Sequence, residues 1–408
     1  MSTIAVAGGF GMKAQGVRND YSLESRKRWL SSALPFPMEE YEYRLERVRH
    51  AAKQKGLDAV LIHGDSNEIG YIRWISNFRP IYGTAFVLVP TDGEPSLVSD
   101  SVLHGEPMHS NWWMTWIEEA IPARHTLASL TETLVSLLTR KHLSTKGTKL
   151  GWAGDYGFPE DRLKSLMPEV SFQNFSEEVL AIKSIKSPRE VSIQRKNMKI
   201  TSDSMRTGCE AARAGLSEAK IAGIINGTMM SEGAHDLAFY TMVVSGARTG
   251  LKHSHPTNRK LRNGDMVYID MGSSYFGYSA DMSRTFTVGR PNEVQKSILD
   301  LAYEIHRKTV KMMRPGALVS EIADAAYSIA KEGGFEPDTY VGGHGLGTTL
   351  FDRPVILPGS NMKLEKNMIF AYEPMIVPMK VGTAVVEDDY LVTDSGVERL
   401  TKFDQKLW

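Results

Sequence analysis

Tyr268-Ile269-Asp270-Met271-Gly272, followed by Ser279-Ala280-Asp281-Met282-Ser283-Arg284-Thr285, sets two aspartates in short apolar runs that read as strands or strand ends. Gly272, Tyr275 and Gly277 lie between them. A short hairpin would bring the two carboxylates to one end of adjacent strands. Three more polar residues have similar surroundings: His344 in Gly342-Gly343-His344-Gly345-Leu346-Gly347, Glu373 in Phe370-Ala371-Tyr372-Glu373-Pro374, and Glu387 in Val385-Val386-Glu387-Asp388. A charged side chain in an apolar strand is costly unless it is paired or metal-bound. Taken singly, each reads as a turn carboxylate, a salt bridge or a satisfied core histidine. Together they make a donor set for two hard or borderline divalent cations, because carboxylates can bridge two ions while an imidazole completes one.

Outward from these motifs, the chain divides in two. Residues 181–408 begin with two expected helices, 189–213 and 217–233. Strands are predicted around 241–245, 266–271 and 283–288, then helices at 295–313 and 318–333. This mixture of helices and antiparallel-type strands predicts an α+β fold. Residues 38–180 alternate helices and strands: a helix over 37–55, a buried strand at Ala59-Val60-Leu61-Ile62, and a strand pair about the turn Asp92-Gly93. They read as a smaller α/β domain. Ser187-Pro188 marks the boundary and suits the first turn of a helix. Residues 1–37 read as an irregular N-terminal arm.

The 408 residues suffice for two sizeable cores, and 48 basic against 48 acidic residues give no electrostatic ground for a nucleic-acid or membrane partner. Cys209 is the only cysteine, so no intrachain disulfide forms and a cytoplasmic location is expected. No run approaches the roughly 20 apolar residues of a membrane span. The apolar start at residues 4–12 lacks the features of a secretory signal.

From about Ile182 to Thr401 the sequence resembles the pita-bread-fold metallohydrolases, peptidase family M24: methionine aminopeptidase, aminopeptidase P, prolidase and creatinase. A weaker likeness of Val60–Phe78 and Ala85–Asp100 to the creatinase/prolidase N-terminal domain favours the aminopeptidase P, prolidase and creatinase branch. The resemblance implies that Asp270 chelates one metal, that Asp281 and Glu387 bridge two, and that His344 and Glu373 bind the second. Two ions per subunit are expected, manganese before cobalt, zinc or iron. Such a pair would hold a bridging hydroxide for attack and polarise the scissile carbonyl, with Glu373 shuttling a proton. His253 aligns with the family's substrate-side histidine and His255 stands close behind. Either also reads as an exposed loop residue.

Two positions depart from the proline-specific pattern. Phe351, in Phe351-Asp352-Arg353-Pro354, stands where those members carry a second histidine, and Val385 stands where they carry an arginine. The pocket thereby loses polar groups while every metal ligand remains. Phe351, Arg353 and Trp74 are the candidate substrate contacts; Trp74, Trp112, Trp113 and Trp116 read either as a substrate wall or as core and interface. The expected function is cleavage of a C–N bond in an Xaa-Pro di- or tripeptide or a peptide-like amide. The alternative is a non-peptidase of the same fold, an amidino hydrolase like creatinase or a lyase like the dimethylsulfoniopropionate enzyme. A third possibility, a binding module without catalysis, fits poorly with five retained ligands. Homodimerisation is expected from the resemblance alone.

Overall fold

A computed structural model describes residues 29–30, 33–80, 83–99, 115–124, 126–154, 157–335 and 338–408. Most of the arm, with Trp112 and Trp113, lies outside them. Among the described residues no helix is long and apolar enough to cross a membrane.

The N-terminal half is built on a six-stranded mixed sheet, ordered Glu119–Pro122, Ser96–Ser99, Thr84–Pro90, Ala59–Asp65, Lys149–Ala153, Ser171–Asn174. Ala59–Asp65 runs antiparallel to Thr84–Pro90 and parallel to Lys149–Ala153. Its side chains alternate between two cores, as strand geometry requires. Val60 and Ile62 pack with Tyr41, Leu45 and Val48 of the helix Met38–Gln54. Ala59 and Leu61 face Leu130, Leu134 and Leu138 of the helix Leu127–Arg140. The expected strand pair about Asp92-Gly93 forms, with Leu88 opposite Ser96.

The second half opens with the helix Pro188–Ala211. Ser187 accepts from Glu190 N while Glu190 Oε2 accepts from Ser187 N, a capping box that fixes the helix start where Ser-Pro predicted it. The helices Glu218–Ser231, Glu293–Val310 and Val319–Glu332 follow, each within a few residues of its expected range. Two sheets carry the site. One orders Met282–Thr287, Met266–Met271, Met242–Ser245; the other orders Asp352–Val355, Gly343–Gly345, Ile369–Tyr372, Asp388–Val392, Val397–Arg399. An antiparallel bridge between Arg284 and Val386 links them.

The halves meet at a buried node. Arg44 donates to the carbonyl of Trp74 at 2.7 Å and to Tyr278 Oη at 3.0 Å, and pairs with Glu40 at 3.0 Å and Glu190 at 3.5 Å. Tyr278 Oη and Trp74 Nε1 both donate to Glu190 Oε1, at 2.8 and 3.2 Å. Trp74 is only 1% exposed. The substrate wall suggested for Trp74 is therefore corrected: it is a core residue whose one polar atom closes this node.

Candidate metal centre

The strand register gathers the carboxylates. Met271 pairs with Met282 and Asp270 with Ser283, which sets Asp281 opposite Gly272, two residues from Asp270. Side chains two apart share a face, so the two aspartates converge across the hairpin. Gly272 is required there, because a Cβ would meet the carbonyl oxygen of Ala280 at 1.8 Å. Glu387 joins them because its backbone N–H donates to the carbonyl of Ser283 at 3.1 Å, beside the Arg284–Val386 bridge.

His344 and Glu373 come from the second sheet. His344 lies opposite Ala371, and Glu373 N donates to Gly342 O at 3.0 Å. The glycines around His344 admit the neighbouring strands: a Cβ on Gly343 would meet Ala371 O at 2.8 Å, and one on Gly345 would meet Arg353 O at 1.9 Å.

Asp281, His344 and Glu387 each present a donor atom within 4.8 Å of the others, and Asp281 Oδ2 lies 3.5 Å from His344 Nε2. All five residues are poorly solvated. Burial, and then the neighbouring carboxylates, push Asp281 and Glu387 well above the ordinary carboxylate range. Burial lifts Asp270 to about 6 and Glu373 to about 7, against the pull of His344. Asp270 Oδ1 and Glu387 Oε2 have no hydrogen-bond partner. Clustered oxygens with unused lone pairs and, among the described residues, no lysine or arginine in ion-pair contact fit a divalent cation, which would relieve the repulsion and occupy those oxygens.

Supporting contacts add residues that sequence reasoning missed. Tyr268 Oη donates to Asp270 Oδ2 at 2.5 Å, and Asp281 N donates to Asp389 Oδ2 at 3.1 Å. Arg284 is fully buried, pairing with Asp388 at 2.8 Å and donating to the carbonyls of Glu387, Ser283 and Asp404. The Glu387-Asp388-Asp389 run in an apolar context was the available signal for the last two acids.

The other expected site residues are divided. Phe351 is 67% exposed and its ring lies 4.3 Å from that of His344. It also lines a cleft of about 580 Å³ with Ser66, Gly70, Ala238, Ser279 and Thr349. Arg353 pairs with Glu177 of the N-terminal half. Val385 is buried against Val244, Tyr268 and Met375. His253 has a left-handed backbone (φ 62°), and its carbonyl accepts from Tyr240 Oη at 2.7 Å. Burial and the adjacent Lys252 hold its imidazole below the usual range. His255 stacks on Tyr240 at 3.9 Å and 24°, so its ring is already engaged. Among the described residues neither imidazole bonds to the cluster.

Residues 192–394 match the model of metallopeptidase family M24, and residues 44–185 match the creatinase/prolidase N-terminal domain. An Xaa-Pro dipeptidase of Pyrococcus horikoshii is 32% identical over 253 residues, 62% of this chain and 72% of that protein. An uncharacterized Bacillus subtilis peptidase, YqhT, is 26% identical over 89% of this chain and 99% of its own length. Among solved structures, the prolidase of Pyrococcus horikoshii superposes with a TM-score of 0.78 at 26% identity, covering 90% of this chain and all (100%) of the other. An X-Pro aminopeptidase of Thermotoga maritima, at 23% identity, shares the fold with a TM-score of 0.80 over 89% of this chain and 99% of its own.

Proposed function

The chain belongs to metallopeptidase family M24, and within that family we propose that it hydrolyses the C–N bond of an Xaa-Pro di- or tripeptide, or of a related small amide, at the Asp270, Asp281, His344, Glu373 and Glu387 cluster. The observation that supports this reading is the buried group Asp281, His344 and Glu387, with Asp270 and Glu373 close enough to raise the Asp281 carboxyl and with Asp270 Oδ1 and Glu387 Oε2 unpartnered. Two divalent ions bound there, manganese foremost, would supply an activated water and polarise the scissile carbonyl.

The protein's own groups set the rest. Tyr268 and Asp389 fix the orientations of Asp270 and Asp281, so the cluster is organised before substrate arrives. Glu373, the one carboxylate of the cluster that is only half-buried, is proposed to accept and return a proton. His253, on its left-handed loop, is proposed to meet the substrate once it is bound.

One observation favours a second reading. Phe351 and Val385 are apolar where the proline-specific pattern is polar, and Val385 is sealed in its own cluster. A small non-peptide amide, an amidino compound or a lyase substrate would suit such a pocket.

The deciding experiment is a panel of Xaa-Pro dipeptides and tripeptides with Mn²⁺, Co²⁺, Zn²⁺ or Fe²⁺, beside an Asp281→Ala control. Turnover lost in the variant establishes the peptidase; no turnover by a metal-replete protein moves the search to the second reading.

A further inference from the structure

We propose that Lys252 and Tyr340 form the subsite for the substrate's free carboxylate, at the mouth of the cluster. The inference rests on the proposed cleavage of a small amide at that cluster and names the group that such a substrate carries beside the broken bond.

Tyr340 is braced against the backbone that holds two of the five ligands. It lies four residues before His344 and pairs with Met375, two residues after Glu373. Its ring covers Gly342, where a Cβ would meet the phenol at 2.3 Å, and Gly342 is the residue whose carbonyl accepts from Glu373 N. The ring is therefore immobilised beside Glu373 while 38% of the residue stays open to solvent. The Lys252 ammonium sits 4.2 Å from the centre of this ring. Among the described residues it is held by the aromatic face rather than by an ion pair. A ring contact of this kind orients an ammonium without using up its three N–H donors.

Val385, two residues before Glu387, has no polar atom to offer an anionic substrate. A cation must come from elsewhere, and Lys252 is the one placed by both the ring and the His253 loop. The C-terminal carboxylate of a dipeptide lies about one residue, roughly 3.5 Å of chain, beyond the scissile carbon. A four-carbon stem resting on an aromatic ring adjusts on that scale.

The test compares Ala-Pro free acid with its C-terminal amide, using metal-replete wild type, Lys252→Gln and Lys252→Arg. Wild type should favour the free acid. Lys252→Gln should raise KM for the acid about ten- to a hundredfold while kcat and the amide's KM change little, and Lys252→Arg should restore most of the loss. Equal losses on acid and amide, or no preference in wild type, overturn the proposal. If wild type turns over neither peptide, the peptidase reading fails on its own, and calorimetric binding of L-proline against L-prolinamide decides the subsite. Proline binding at least about tenfold weaker in Lys252→Gln supports it, and unchanged binding overturns it.

Discussion

The Phe351 ring packs on the His344 imidazole at 4.3 Å with planes inclined by 47°, although it is among the most exposed large apolar side chains described. An apolar ring left in water beside a candidate metal-binding histidine has little to do with stability. Phe351→Ala should cost the fold less than about 1 kcal/mol, because little area is removed from the interior. It should nonetheless change KM for whatever small molecule enters the cleft. Phe351→His should raise kcat/KM for Xaa-Pro peptides. Steady-state kinetics beside thermal melts check both, and a large fall in melting temperature with unchanged KM would reverse the assignment.

The cluster predicts an unusual stability signature. Asp281→Asn removes a buried acid that Asp270, Asp389 and Glu373 repel. Elemental analysis should find less bound divalent metal, and a chelator that lowers the melting temperature of wild type should barely move the variant. In chelator, the variant should be about 1–3 kcal/mol more stable than stripped wild type, because it no longer buries that charge. A stripped variant less stable than stripped wild type would falsify the electrostatic account.

Arg284 ties both sheets to the residues after Leu400. Its guanidinium contacts Asp388 and the carbonyls of Glu387, Phe403 and Asp404. Arg284→Met would leave Asp388 buried without that partner and should cost about 3–5 kcal/mol in denaturant unfolding. Metal affinity should fall with it, since Glu387 is held from the same guanidinium. Unaltered metal binding in a destabilised variant would confine Arg284 to the fold.

His63 sets part of the acid sensitivity. Burial against Phe86 and Phe158 holds its imidazole down to about 4. The unfolded chain protonates it near its ordinary value of about 6.5, whereas the folded chain keeps it neutral to about 4. Its stabilising effect is thus fully present above about pH 6.5 and is lost as pH falls towards 4, by about 1.4 kcal/mol per unit. His63→Leu should flatten the stability profile over that window, as urea unfolding at pH 7 and pH 5 would measure. An equal slope in both proteins would assign the acid sensitivity elsewhere.

What the sequence made legible was local. The Ser187–Glu190 capping box is complete within four residues, and the strand-embedded acids stand out because desolvation makes an isolated charge conspicuous. Contacts across the fold were not legible. Glu190 caps its helix through Oε2, yet its Oε1 accepts from Trp74 and Tyr278, which no nearby pattern encodes. The partner of Arg353, Glu177, likewise belongs to the other half of the chain.

The Arg44 node makes the two halves poor candidates for separate expression. Residues 188–408 alone would open Glu190 and the Tyr278 hydroxyl to water, and residues 29–180 alone would keep Arg44 but lose two of its partners. A recombination experiment that exchanges the N-terminal half for that of a relative must therefore carry the node across as one unit. A chimera that breaks it leaves the Arg44 guanidinium with Glu40 and the Trp74 carbonyl alone, and its ability to accumulate in a cell would depend on whether the donor half supplies a second matching acid.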